Sequence, residues 1–105
     1  MAKARITVIR RAVYEDLIAE HVNRDAYPNG LGPCGAFADG QTYIIEGSPK
    51  KPEGFCDWAW ADIQRDIVMV LFGASMPWID RPAKAVTCCT DGLRPVSFLV
   101  ERIDE

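Results

Sequence analysis

The sequence predicts a single α+β domain over 1–105, in which an antiparallel sheet of three or four strands packs against two helices. Two stretches of helical apolar period alternate with short runs rich in Ile, Val and Tyr, which are typical of strands. Asp91 and Gly92 join the last two runs, 83–89 and 95–103, into a hairpin. A chain of 105 residues is long enough to bury one hydrophobic core.

The first half of the chain predicts a strand, a short helix and a second strand. Residues 4–13 place Ile and Val between arginines, which favours a strand. An apolar stripe of helical period follows over 14–22 and includes His21, the one histidine of the chain. Turn-forming residues over 25–33 predict a loop, and 41–46 predicts the second strand.

The second half predicts the principal helix and the terminal hairpin. Over 57–72 apolar residues recur at helical spacing, with Asp57 in the first turn and Gly73 as the C-terminal cap. Pro95 argues against a two-residue hairpin turn, because that turn would place the proline where a strand must donate a hydrogen bond. We therefore predict a wider loop over 90–93, or a bulge there.

Composition and charge narrow the function classes. The formal net charge of −3 argues against nucleic acid as the main partner, because phosphate binding needs a basic face. The longest uncharged stretch, 67–79, contains Gly73 and Pro77 and is too short to cross a bilayer. The N-terminal residues lack the pattern of a secretory signal. We therefore expect a cytoplasmic protein without a membrane partner, in which thiols stay reduced.

The residues most suggestive of chemistry are the four cysteines: Cys34, Cys56, Cys88 and Cys89. Each lies at a predicted element end beside a glycine, a proline or a turn, where sites are commonly assembled. No CxxC pair occurs, so metal ligands, reactive thiols and buried apolar residues all stay open as interpretations. In a regular strand Cys88 and Cys89 would face opposite sides, and one of them would be core.

The leading hypothesis is that Cys34, Cys56 and one of the adjacent pair converge on a thiol site. Such a site would hold zinc or an iron–sulfur cluster, or act in redox chemistry. Cys56 precedes the long helix, whose positive N-terminal end favours a thiolate. The carboxylate of Asp57 acts against this effect, whereas Arg94 beside the hairpin turn would offset the negative charge.

The alternative hypothesis is a non-catalytic binding or accessory module. Trp58 and Trp60 are about 200° apart around the helix, so one faces the core and the other can line a groove with Trp78. The edge of the hairpin also offers a surface for a partner or for homodimerisation. Asp62 and Asp66 predict a solvated helix face, and no catalytic residue is assigned because no second motif supports an acid–base site.

Three cysteine-containing blocks, KPEGFCDWAWADI (51–63), CCTDGLRPVSF (88–98) and GPCGAFADGQTY (32–43), resemble a family of small prokaryotic proteins of about this length. The similarity covers nearly the whole chain, including the first strand. That family is uncharacterised, so the resemblance implies a stand-alone domain and carries no activity, cofactor or catalytic residue. The chain departs from the family pattern at Gly35, where family members have proline, which leaves the local geometry at Cys34 open.

Overall fold

The computed structural model describes residues 2–103, which form four strands and two α-helices. The strands make one antiparallel sheet in the order β2-β1-β4-β3, so β2 and β3 are its edges. This architecture confirms the predicted α+β domain with its C-terminal hairpin. The bounds of the elements in chain order are β1 Lys3–Arg11, α1 Glu15–His21, β2 Thr42–Glu46, α2 Asp57–Leu71, β3 Lys84–Cys88 and β4 Val96–Arg102.

The core lies between α2 and one face of the sheet. Val96, Phe98 and Val100 of β4 are fully buried, because alternate side chains of a strand point to the same face. Each apolar side chain buried in this way contributes about 1.5–3 kcal/mol, so the layer between α2 and the sheet dominates the stability. The buried stripe of α2 consists of Ala59, Ile63, Ile67, Val70 and Leu71, together with Asp66.

An aromatic cluster closes one end of this core. Phe37 from the loop before β2 and Phe55 from the loop before α2 meet with their ring centroids 5.0 Å apart. Both rings also contact Phe98 of β4. Tyr43 and Trp60 extend the cluster through Phe55. The cluster thereby fixes two long loops against the sheet.

Among residues 2–103, α2 is the one helix that packs on the strands, and α1 lies beyond the sheet. Ile18 is the buried residue of α1, and its Cγ2 methyl group lies next to the backbone of Gly30. Leu17 and Tyr14, which belong to the same apolar stripe, are 37% and 43% exposed. The period of the stripe therefore predicts the helix correctly, but a loop rather than the sheet covers its apolar face.

The loop of the β3–β4 hairpin is wider than predicted. The ladder continues to Cys89, whose N–H donates to the carbonyl of Val96, so the loop spans 90–95. Pro95 thus lies inside the loop, where the sheet requires no N–H from it. Its carbonyl accepts a hydrogen bond from the N–H of Ala12. This bond holds the segment between β1 and α1 next to the hairpin loop.

Two backbone positions beside β3 and α2 adopt a positive φ. Gly73 follows α2 with a φ of 78°, which confirms the predicted glycine cap. Ala83, immediately before β3, has a φ of 55° and is the one non-glycine residue of the described chain with a positive value. Its N–H donates a hydrogen bond to the carbonyl of Ala74, and its carbonyl accepts one from the N–H of Arg102. These two bonds hold the strained conformation.

Candidate functional site

The four cysteines carry free thiols in two environments. Cys88 is exposed on the outer face of β3, whereas Cys89 packs against the core, as strand alternation predicts. The Sγ of Cys89 accepts a hydrogen bond of 3.3 Å from the N–H of Val96. Cys34 and Cys56 are also half-buried and pack against the core. Three of the four thiols are therefore partly core residues.

Arg11 links the surroundings of Cys34 to those of Cys89. Cys56 adjoins the aromatic cluster, and the Nη1 of Arg11 donates to the carbonyl of Cys34 at 3.1 Å. Arg11 and Cys89 flank the same residue of β4 from the two neighbouring strands. A hydrogen bond with Asp39 raises the pKa of Arg11 and lowers the pKa of the Asp39 carboxyl. The guanidinium therefore stays charged beside Cys34.

The thiols do not form a ready metal site. Within residues 2–103, no group of three or more His, Cys, Asp or Glu side chains is arranged to hold a metal ion. The structure packs Cys34, Cys56 and Cys89 against the core, and it leaves Cys88 on the opposite face of β3. Their convergence on zinc or an iron–sulfur cluster stays a prediction.

The two charged residues assigned to support the thiols make structural ion pairs. The carboxylate of Asp57 lies 2.6 Å from the Nζ of Lys51 in the preceding loop. Arg94 lies 3.7 Å from Asp91 and donates to the carbonyl of Gly32. Arg94 thus ties the hairpin loop to the loop that carries Cys34.

Sequence reasoning missed the role of the helix aspartates and Trp58 in anchoring the hairpin. The Nε1 of Trp58 donates to the Oγ1 of Thr90 at 2.9 Å. Asp62 accepts from the N–H and the hydroxyl of Thr90, and Asp66 accepts from the hydroxyl of Thr87. The prediction that Asp66 lies on a solvated face is wrong, because this residue is buried against β3. Two acids one helical turn apart, matched by two threonines near one strand end, are the signal that could have shown this contact.

A groove of about 410 Å³ opens between α2, β3 and the loop after α2. Trp78 on the loop is 77% exposed, and Val86 on β3 is 54% exposed. The groove therefore presents aromatic and aliphatic surface to solvent. Its lining residues are Arg65, Asp66 and Met69 of α2, Met76, Trp78 and Ile79 of the loop, and Ala85 and Val86 of β3.

The backbone of β3 is unpaired on the side away from β4. The N–H of Arg102 donates to the carbonyl of Ala83, and the N–H of Cys89 donates to the carbonyl of Val96. Between Ala83 and Cys89, every second residue therefore directs its backbone N–H and C=O groups toward β4. The intervening residues direct their N–H and C=O groups outward, where no group within 2–103 bonds to them. These outward residues are Lys84, Val86 and Cys88.

Comparisons of the chain with models of protein families, with curated proteins and with solved structures find no match, so the resemblance drawn from the motifs stays a prediction. No helix in the described part of the chain has the length and apolar character needed to cross a membrane. The fold and the groove define a small α+β domain with an open sheet edge beside an aromatic groove.

Proposed function

We propose that this protein is a non-catalytic binding module that accepts an extended segment of a partner protein as an additional strand at β3. The observation that carries the proposal is the unpaired backbone of Lys84, Val86 and Cys88 next to the groove that exposes Trp78. Strand addition uses these two features together, since main-chain hydrogen bonds supply affinity and side-chain pockets supply specificity.

The charge on the β3 edge also supports this proposal. Edge strands are commonly protected from pairing by a lysine whose free charge repels an incoming strand. Here the Nζ of Lys84 is bound by the carboxylate of Asp80 at 2.9 Å. The contact lowers the pKa of Asp80, which therefore stays ionised and neutralises the amine. The edge consequently carries no unbalanced charge at this position.

The other sheet edge, β2, provides a matched control. Ile44 of β2 also directs its backbone away from the sheet, because the N–H of Val8 donates to Gln41 and sets the ladder. Proline at Ile44 or at Val86 would thus remove an outward N–H and no ladder bond. The groove lies along β3, so only the change at Val86 removes a binding group.

The proposal is tested with a synthetic peptide, acetyl-Thr-Ile-Thr-Glu-Thr-Ile-Thr-amide, which reads the same in both directions and can add parallel or antiparallel. We expect it to shift the backbone amide NMR signals of Lys84–Cys88 in the wild type and in Ile44→Pro, and not in Val86→Pro. Unchanged spectra of the rest of the domain establish that both variants fold. No shift at β3 in the wild type, or an equal shift in Val86→Pro, would overturn the proposal.

A second copy of the chain is the competing occupant of the same edge. Two β3 strands could pair antiparallel about Val86, which would place Lys84 opposite Cys88 of the other copy and give a homodimer with a continuous sheet. Sedimentation over a range of protein concentrations separates the two occupants. A dimer that is lost in Val86→Pro and kept in Ile44→Pro would show that the occupant of the β3 edge is a second copy of the chain and not a partner peptide.

A second candidate function is thiol chemistry at Cys34, Cys56 and Cys89. Two observations favour it: the guanidinium of Arg11 lies beside Cys34, and Cys56 stands at the N-terminal end of α2. Cysteine sulfur binds zinc and iron and takes part in redox reactions, and nearby positive charge offsets the negative charge that such a site accumulates. This function needs a compartment that keeps thiols reduced, such as the cytoplasm.

Elemental analysis and an absorption spectrum of protein purified without oxygen test this candidate. Cys34→Ser, Cys56→Ser and Cys89→Ser should each lose bound metal, whereas Cys88→Ser should keep it, because Cys88 lies on the opposite face of β3. Metal-free protein whose three half-buried thiols react only on unfolding would reject the candidate.

A further inference from the structure

We infer that the groove selects an added strand in which an acidic side chain lies two residues from an apolar one. This inference rests on the proposed function and names the chemistry of its partner. It starts from Arg65, an exposed cation of α2 that lines the groove. Within residues 2–103 no carboxylate pairs with its guanidinium. The adjacent carboxylate of Asp66 is buried and accepts from Thr87.

The other end of the groove is apolar. Met69 of α2 lines the groove together with Met76, Trp78 and Ile79 of the loop that follows this helix. Methionine side chains adapt to differently shaped partners, and an exposed tryptophan offers a large apolar face. This end is therefore suited to an aliphatic or aromatic side chain of the added strand.

The distance between the two ends matches the repeat of a strand. Arg65 and Met69 are four residues apart on α2, which separates them by about 6 Å along the helix axis. Residues i and i+2 of a strand point to the same side and lie about 6.8 Å apart. An added strand can therefore place one side chain at Arg65 and the next side chain on that face at Met69.

The direction of α2 along β3 orders these two positions. Asp62 contacts Thr90 and Asp66 contacts Thr87, so α2 and β3 run in opposite directions. Arg65 consequently lies toward the C-terminal end of β3 and Met69 toward its N-terminal end. An antiparallel partner would read acidic-x-apolar, and a parallel partner would read apolar-x-acidic.

The experiment compares three peptides, acetyl-Thr-Ile-Thr-X-Thr-Ile-Thr-amide with X as Glu, Gln or Lys, titrated against the full chain by NMR. We expect the Glu peptide to bind roughly two- to five-fold more tightly than the Gln peptide, which is the range of an exposed ion pair, and the Lys peptide to bind most weakly. Arg65→Glu should reverse the order. Arg10→Glu, which changes an exposed arginine of β1, should leave the order unchanged.

The possible results separate this inference from the proposed function. Equal binding of all three peptides at β3 would overturn the role of Arg65 and leave strand addition intact. A preference for Glu that persists in Arg65→Glu would also overturn it, since another group would then select the acid. No binding of any peptide at β3 would overturn both. The preference should also weaken at high salt, because an exposed ion pair is screened.

Discussion

Asp66 and Thr87 join α2 to the edge strand through a hydrogen bond of 2.7 Å, which the threonine hydroxyl donates to the Oδ2 of the carboxylate. Asp66 is 7% exposed and is the one buried charged residue among residues 2–103. A carboxylate removed from water is stable in a fold only when hydrogen bonds satisfy it. This contact therefore fixes one wall of the groove relative to β3.

Replacing Thr87 by valine should destabilise the domain. Valine keeps the shape of the side chain but leaves the carboxylate of Asp66 without its donor, so we expect a loss of about 1–3 kcal/mol in the free energy of unfolding. Thr87→Ser keeps the hydroxyl and should retain most of the stability. Urea unfolding measures both, and a Thr87→Val variant as stable as the wild type would contradict this account of the contact.

Leu17 and Ile18 are neighbours on α1 with opposite exposure, so they form a matched pair. Ile18→Ala should lower the free energy of unfolding by about 2–4 kcal/mol because Ile18 is buried, whereas Leu17→Ala should lower it by less than about 1 kcal/mol. Denaturant titration of the two variants checks this difference. Equal losses would show that the whole apolar stripe of α1 is packed.

The two helices show what the sequence can and cannot predict about this fold. For α2, apolar period, an acidic first turn and a glycine cap all agree, and the predicted 57–72 differs from the observed helix by one residue. For α1 the period identifies the helix but not its covering. That covering depends on where the chain runs after β1, and this path includes long-range contacts such as the hydrogen bond between Ala12 and the distant Pro95.

Sequence patterns likewise predict some features of the candidate site and not others. Opposite faces for Cys88 and Cys89 follow from strand geometry alone. Which tryptophan lines a groove could not follow from helix geometry, because Trp78 lies on a loop whose path depends on the strained backbone at Ala83 and on contacts with α2 and β3. Local patterns thus predicted the elements, and long-range contacts decided which surfaces remain open.

Glu101 makes the stability of the sheet dependent on pH. Partial burial acts to raise the pKa of Glu101, but hydrogen bonds from Arg81 and Arg5 outweigh it and hold the pKa below its usual value. A carboxyl with a lowered folded-state pKa stabilises the fold above its unfolded pKa of about 4.3. That contribution is lost as the pH falls through the folded-state pKa.

We therefore expect the wild type to exceed Glu101→Gln in stability at neutral pH and to lose this advantage below about pH 4. Thermal unfolding of both proteins across the acidic range measures the difference. A constant difference at every pH would mean that the charge of Glu101 is not the cause.

Exposure predicts that one thiol reacts before the others. Cys88 is exposed, whereas Cys34, Cys56 and Cys89 are half-buried against the core. Labelling of the native protein with a chromogenic disulfide reagent should show one fast phase, and Cys88→Ser should abolish it without a loss of stability. A fast phase that survives in Cys88→Ser would place the reactive thiol among the half-buried three.

Ala83 is strained at a φ of 55°, so glycine should suit this position better. Ala83→Gly relieves strain of about 1–2 kcal/mol but increases the freedom of the unfolded chain, which leaves a net gain of up to about 1 kcal/mol. Ala85→Gly is the control, because Ala85 lies in β3 and is buried, and this variant should be destabilised. Chemical denaturation of both variants checks the sign of each effect.

The position of β1 in the sheet has a consequence for how the domain is made. β1 is paired on one side by β4, and the hydrogen bond between Arg5 and Glu101 joins residues 96 positions apart. Contacts so distant in sequence are slow to form, because a long loop must close before they contribute. During synthesis on the ribosome, the apolar face of β1 would thus remain exposed until β4 has emerged. We therefore expect the domain to fold late, in one cooperative step, and to need protection from aggregation until then.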